Sequence, residues 1–305
     1  METRKLGSLN VSLVGLGCNN FGGRIDETAT ERVVQACLDE GINFFDTADV
    51  YGGTKSEEFL GRALGRKRSE VLIATKFGMQ VAEDKKGAAP AYIRQAVEDS
   101  LRRLGTDYID LYQLHGPDPN TPIADTLAAL DEIVKAGKVR EIGCSNFSAE
   151  QLREAEAAVK PGGARFVSVQ NNYSLMHREP EKEVLPECRR LGIAFLPYFP
   201  LASGLLTGKY HKGQPVPEGT RIQPGGRWDS ALSDESLSKV EALRAFAESR
   251  NHTLLELAFS WLAAHSEVVS VIAGATKPEQ VQANARAISW RLTDSEMAEL
   301  NRIVS

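Results

Sequence analysis

Eight short runs rich in β-branched and aromatic residues punctuate this chain, and most are followed by a longer stretch whose apolar residues recur at helical spacing. The first run is 12–18 (SLVGLGC). A helix is expected over 28–40, with Val33, Val34, Cys37 and Leu38 on one face and Gly41 where a C-cap belongs. The second run, 43–48 (NFFDTA), precedes a helix over 56–64 closed by Gly65. The third, 71–76 (VLIATK), precedes a helix over 90–104, with proline at its start and Gly105 past its end. Runs at 108–115 (YIDLYQLH), 139–146 (VREIGCSN) and 166–172 (FVSVQNN) alternate with helices at 122–136, from 148, and at 181–191. The last two runs are 193–198 (IAFLPY) and 268–275 (VVSVIAGA), the latter followed by a helix at 278–287.

Parallel strands need a crossover of a dozen or more residues, usually a helix. Eight strand–helix units in one chain therefore predict a closed parallel (β/α)8 TIM barrel. The rival is an open doubly wound sheet, which has fewer strands and a glycine-rich turn after the first. Here that turn reads GLGCNNFGG, a poor match to G-x-G-x-x-G. At 305 residues the chain has room for one barrel with added loops, so 1–305 is read as a single domain. Three pieces stand outside the repeat. Residues 1–10 read as a β-hairpin turning at Gly7–Ser8, placed to plug the amino-terminal mouth. Residues 208–234 form a long loop rich in Gly and Pro, and such loops are often functional. Extra helices are expected near 235–249, 253–265 and 294–303.

A formal net charge of -5 argues against a broad nucleic-acid or membrane face, while leaving room for a local cationic phosphate pocket. No apolar run approaches a membrane span, and the start METRKLGSLNVS has no signal-peptide core. Cys18, Cys37, Cys144 and Cys188 form no CxxC pair, which fits a reducing compartment. A soluble, cytoplasmic protein is expected. His177 has no other ligand-type residue at metal spacing beside it, so no metal site is expected. His211, His252 and His265 read as surface or packing residues.

Active sites of such barrels lie at the carboxyl ends of the strands. Asp46 stands at the end of the second strand with Tyr51 just beyond it, Lys76 at the end of the third, and His115 at the end of the fourth. Ser145 and Asn146 end the fifth strand, Gln170 lies in the sixth, Tyr198 ends the seventh, and Gly274 ends the eighth, leading to Lys277. Singly, each is more often a cap, a packing residue or a solvated charge. A barrel makes them converge. Reducing a carbonyl needs a hydride donor on one side and a proton donor at the oxygen. A phenol is a poor acid near neutrality, but an adjacent ammonium draws its pKa down. A carboxylate can hold that lysine, and a histidine can orient the carbonyl oxygen. Tyr51, Lys76, Asp46 and His115 supply that set.

The stretches DTADVYGG, IATKFG, LYQLHGPD and KVREIGCSNF, in this order, resemble the aldo-keto reductase family, and the likeness runs from GLGCNNFG to VIAGATKPEQVQAN. The resemblance implies an Asp46–Tyr51–Lys76–His115 catalytic tetrad and a nicotinamide cofactor, usually NADPH, bound in extended form. It implies that Ser145, Asn146 and Gln170 hold the carboxamide and that the ring stacks on Tyr198. The first-strand loop, with Gly17, Cys18 and Asn19, meets the cofactor beside Asp46. Leu201, Ser203, Gly204 and Lys209 match the pyrophosphate loop, and Gly274, Lys277, Gln280 and Asn284 the adenosine end.

The chain departs from the family at two points. Phe199 stands where a serine often follows the stacking tyrosine. Gln280 stands where many members carry arginine, and Gln cannot make a charged bidentate phosphate contact. Lys277 and the following helix start can still receive a 2′-phosphate, so NADPH is favoured and NADH remains open. Cys18 and Cys144 lack a base partner and read as small buried hydrophobes. Asn20, Phe21, Val50, Phe77, Phe199 and Trp228 are the candidate substrate walls, which fit small aldehydes, ketones, sugars or pyridoxal. The alternatives are an alcohol or sugar dehydrogenase running in the oxidising direction, and a cofactor-binding regulatory subunit like the potassium-channel β subunits the family resembles. No extra terminal segment or docking patch stands out, which ranks the subunit last. Oligomeric state is left open.

Overall fold

The computed structural model describes residues 1–226 and 229–304. Strands β1 (Thr3–Leu6) and β2 (Leu9–Ser12) form an antiparallel hairpin in which Thr3 faces Ser12 and Leu6 faces Leu9. Gly7 makes the turn at φ 56°, and the Ser8 amide donates to Glu141 Oε1 at 2.7 Å. Leu6, Leu9 and Val11 are buried together with Phe44, Leu111, Leu196 and Ile272. The hairpin therefore closes the amino-terminal mouth, as its position in the sequence implies.

Strands β3 (Val14–Gly17), β4 (Phe44–Asp46), β5 (Leu72–Phe77), β6 (Ile109–Leu114), β7 (Val139–Ser145), β8 (Phe166–Asn172), β9 (Ala194–Tyr198) and β10 (Val271–Gly274) make one parallel sheet, ordered β10-β3-β4-β5-β6-β7-β8-β9. The ring closes between β9 and the residues ahead of β10. The Phe195 amide donates to Glu267 O at 2.7 Å, and the Val269 amide to Phe195 O at 3.2 Å. The run expected at 268–275 is a strand over Val271–Gly274, where it pairs with β3, and meets β9 in an isolated bridge at Val268. The first run starts as a barrel strand at Val14 because Ser12 belongs to the hairpin.

Helices α1 (Glu27–Asp39), α2 (Lys55–Leu64), α3 (Pro90–Leu104), α4 (Ile123–Lys135), α5 (Ala149–Ala157), α6 (Val184–Leu191), α8 (Leu254–Ala263) and α9 (Pro278–Arg286) flank the strands, while α7 (Asp234–Glu248) packs against α10 (Asp294–Val304). Their ends follow local chemistry. The Asp26 carboxylate caps the Ala29 amide at 2.8 Å. Ser148 with Gln151, and Thr253 with Glu256, form capping boxes. Gly105 and Gly192 close α3 and α6 in the left-handed conformation. The helix expected from 181 starts at Val184, after a 3-10 turn at Glu179–Glu181.

Side-chain alternation positions the site. Along a strand, successive residues face opposite sides. Phe44, Ala74 and Leu111 pack inside the barrel, whereas Phe45, Ile73 and Tyr112 pack in the layer beneath the helices. Two residues further along the inward face stand Asp46, Lys76 and Gln113. The barrel interior is thus apolar below and polar above.

Candidate active site

Lys76 is fully buried at the carboxyl end of β5. Its ammonium donates to Asp46 Oδ1 at 2.6 Å, to the Thr47 carbonyl at 2.8 Å and to Tyr51 Oη at 3.4 Å. An ammonium has three donors, and all three are used. Burial opposes the charge, but Asp46 and then Tyr51 outweigh it and hold the Lys76 pKa above the usual lysine range. Asp46 is fixed from two further strands: Gln113 Nε2 donates to its Oδ2 at 3.2 Å and Gln170 Nε2 at 2.8 Å.

Tyr51 lies in the loop after β4, with Lys76 Nζ 5.1 Å from its ring centroid. The His115 ring meets it edge-on at 5.8 Å and 78°. Sequence reasoning expects the ammonium to lower the phenol pKa. The structure corrects the net direction: burial raises it, and Lys76 only opposes that rise. His115 is buried with no partner at Nδ1, and burial with repulsion from Lys76 pushes its pKa down to about 3. The imidazole is neutral throughout the physiological range.

Ser145, Asn146, Gln170 and Tyr198 meet around the same rim. Ser145 Oγ donates to Gln170 O at 2.7 Å, and Asn146 Nδ2 to His115 O at 2.9 Å. Tyr198 Oη donates to Asn146 Oδ1 at 2.8 Å, which ties the ends of β7 and β9 together. Asn146 takes φ 62°, a conformation asparagine tolerates better than most residues.

Beyond β9 the backbone is unusual. Phe199, Ala202, Ser203 and Gly204 all have positive φ. Such concentrations mark ligand clamps, because the cost must be met by surrounding structure. Turns of this kind also gather amides into anion-binding concavities. A Cβ on Gly204 would lie 3.4 Å from Lys209 Nζ. Burial, then Arg24, then Arg221 lower the Lys209 pKa, so three cations crowd one place. The Arg24 guanidinium also donates to Gly219 O at 3.4 Å, joining the first-strand loop to the 208–234 loop. An anionic diphosphate fits this arrangement.

At the far end, exposed Gly274 has no side chain to fill the space beside Asn20 Nδ2 and Asn19 Oδ1, which a Cβ would meet at 3.1 and 3.4 Å. Gly17 lies alongside, opposite Gly274 in the strand register. Lys277 is exposed at the start of α9, and Asn284 is buried. Gln280 folds back so that its Oε1 accepts from the Thr276 amide at 2.7 Å and from Thr276 Oγ1 at 3.2 Å. That amide is therefore already engaged, while Lys277, the residue after it, stays exposed. Leu201 is partly buried at the start of the strained turn.

Several expected site residues are buried beside the mouth rather than open to it. Cys18 is fully buried, its thiol directed at Leu16 O, so only its backbone, bonded to Asp46 O, borders the site. Phe77 and Phe21 are also fully buried. Phe77 stacks on Tyr112 at 4.7 Å in the layer beneath the helices, because it follows inward-facing Lys76 by one position. Neither phenylalanine side chain is exposed at the mouth. Asn20 is buried, and its amide donates to Ala275 O at 3.2 Å, which places it beside β10. Val50 and Phe199 keep partial exposure. Trp228 lies outside the described residues. Sequence reasoning missed Gln113, two positions before His115 on the same strand face, which the alternation of LYQLH would have revealed. It also missed Arg24 and Arg221, which come from loops that carry no periodicity.

Comparison with known proteins agrees with this geometry. The aldo/keto reductase family matches residues 13–305. A probable voltage-gated potassium channel subunit beta from Arabidopsis thaliana is 36% identical over 300 residues, covering 94% of this chain and 91% of the relative. Glycerol dehydrogenase AKR11B4 from Gluconobacter oxydans superposes with a TM-score of 0.85 at 33% identity, covering 99% of this chain and 95% of that one. The holo form of aldo-keto reductase AKR11C1 from Bacillus halodurans gives 0.81 at 34% identity, with 100% and 97% covered. With a near-closed barrel, polar residues gathered at its carboxyl mouth and full-length likeness in both sequence and structure, the chain belongs to the aldo/keto reductase family and is an NAD(P)H-dependent oxidoreductase.

Proposed function

We propose that the chain reduces an aldehyde or ketone to the alcohol, with NADPH as cofactor and Tyr51 as general acid. The observation that carries this reading is the Tyr51 hydroxyl 3.4 Å from an ammonium whose other two donors are fixed by Asp46 and the Thr47 carbonyl. The bound dinucleotide supplies the hydride. The chain's own residues hold and move the proton. Burial raises the Tyr51 pKa and makes the proton harder to release, and Lys76 offsets part of that cost. As its proton leaves, Lys76 stabilises the phenolate that forms, and Asp46 keeps Lys76 in place. Neutral His115 stands edge-on to Tyr51, where it can orient the substrate oxygen.

The strained turn at 199–204, with Lys209, Arg24 and Arg221, supports a diphosphate site, and Tyr198, Asn146, Ser145 and Gln170 support the nicotinamide end. Lys277 at the adenosine end supports NADPH, with NADH as a weaker second cofactor. Val50 and Phe199 remain as wall residues for a small carbonyl substrate.

A second reading runs the reaction backwards, as the glycerol dehydrogenase name of one structural relative allows. Oxidation needs the phenolate as base, a form that burial at Tyr51 opposes and Lys76 favours. A regulatory role, as the potassium-channel relative's name describes, would need a protein partner for this chain. Among the described residues no helix is long and apolar enough to cross a membrane. The decisive experiment is a fluorescence titration with NADPH and NADH, followed by mixing with a panel of small aldehydes. Tight NADPH binding and its oxidation by an aldehyde are expected. Binding of neither cofactor overturns the reading.

A further inference from the structure

Beneath the loop that carries Tyr51 lies a second set of buried charges that the proposed reaction does not use. Asp49 is 2% exposed, and both of its carboxylate oxygens are buried without a side-chain donor or a hydrogen bond of normal geometry, although the Val50 amide lies close enough to favour the ionised form. A buried acceptor left in this way keeps most of its desolvation cost. Its neighbour Glu57, on α2, is also fully buried, but it is satisfied: Thr75 Oγ1 and Arg103 Nε each donate to it at 2.6 Å. Arg103 is thus committed to Glu57, and two acids face one guanidinium. The other groups that face Asp49 are Tyr92 on α3, the unpartnered Tyr112 hydroxyl on β6, and Lys76 across β5.

The backbone of Asp49 reaches directly into the site. Its amide donates to the carbonyl of Lys76 at 3.1 Å, and two residues on, the Tyr51 amide donates to Ala48 O at 3.2 Å. A shift of Asp49 therefore pulls on both partners of the Tyr51–Lys76 contact. That contact is already long for a hydrogen bond, and displacements of about 1 Å in such pairs carry large kinetic costs.

We propose that Asp49 is a positioning residue for Tyr51: protonated, its carboxyl seats the 47–52 loop on β5, and ionised, it is repelled by Glu57 and lifts that loop. The consequence for turnover rests on the proposed role of Tyr51, but the movement itself does not. Burial first and Glu57 second, against Arg103, push the Asp49 carboxyl up to about 7. The seat is then gained and lost around neutrality. Tyr51 and His115 do not titrate there, so the site itself supplies no competing signal.

The test follows Tyr51 in the intact chain, without cofactor, by carbon NMR of ring-labelled tyrosine between pH 5 and 9. Its signal is assigned as the one lost in Tyr51→Phe. The Tyr51 signal is expected to shift with an inflection at about pH 7, as the Asp49 carboxyl titrates. Asp49→Asn should remove that inflection and hold the low-pH position throughout. Glu57→Gln should move it to lower pH, which gives a second check if Asp49→Asn folds poorly. A pH-independent Tyr51 signal, or an unchanged inflection in Asp49→Asn, overturns the proposal. Where an aldehyde is turned over, kcat should show the same inflection. An NMR inflection without turnover would leave Asp49 as a positioning residue and remove only the reductase reading.

Discussion

Lys76→Met removes one partner of an ion pair that is almost wholly out of water, at near-constant side-chain length. Side-chain exposure is 0% for Lys76 and 5% for Asp46, so screening by solvent gives little relief. Removing one member of such a pair typically costs about 3–5 kcal/mol, because the remaining charge stays buried. Here two effects pull that figure in opposite directions. Asp46 keeps two neutral donors, Gln113 and Gln170, which softens the loss. The buried Thr47 carbonyl loses its Lys76 donor, which adds about 1 kcal/mol. The expected destabilisation is therefore about 4 kcal/mol, read by urea unfolding at pH 7. Asp46→Asn with Lys76→Met removes both charges at once, and should recover at least half of that loss. The difference between the double variant and the two singles isolates the coupling. A Lys76→Met cost below about 1 kcal/mol, or a double variant no better than the sum of its singles, would refute a desolvated, mutually dependent pair. Either variant should also be without measurable turnover, since the phenolate formed at Tyr51 would lose its cation.

Three other perturbations separate the remaining elements of the site. Tyr51→Phe should lower kcat by about 10²–10⁴-fold, the usual worth of a general acid, while NADPH affinity by fluorescence stays within about twofold; near-native turnover would mean that another group donates the proton. Asp49→Asn should gain stability over the parent as pH rises. The folded carboxyl at about 7 against an ordinary 3.8 means the native state holds its proton where the unfolded chain has lost it, so the parent loses stability between about pH 4 and 7. The ceiling on that gain is about 4 kcal/mol, and a difference in unfolding midpoint that does not change with pH would contradict it. Lys277→Ala should weaken NADPH more than NADH by isothermal titration, whereas equal weakening would place the 2′-phosphate elsewhere.

What could be read in the sequence divides along one physical line. Strand residues obey a period of two, so naming one inward residue fixes the rest. Asp46 and Lys76 are legible for that reason, and Gln113 would have been, since it shares a face with His115. The same parity excludes Phe77, which follows Lys76 by one position and must point to the helices. Overlooking that parity made it a substrate wall. Loop residues obey no such rule. Arg24 and Arg221 reach Lys209 from separate loops, and only the folded chain shows three cations in one place.

The pKa directions were illegible for a different reason. A lysine beside a tyrosine reads as a lowered phenol pKa, but the net direction depends on how much water the fold excludes, which no spacing encodes. In the structure exclusion wins at Tyr51, and it wins again at Asp49 and His115. At rest the phenol is protonated and the imidazole neutral. Exclusion of water thus sets the resting protonation of Tyr51 and His115 as much as their charged neighbours do. A mutation that admits water beside Tyr51 without touching the tetrad should lower the Tyr51 pKa and move the alkaline limb of the pH–rate profile to lower pH.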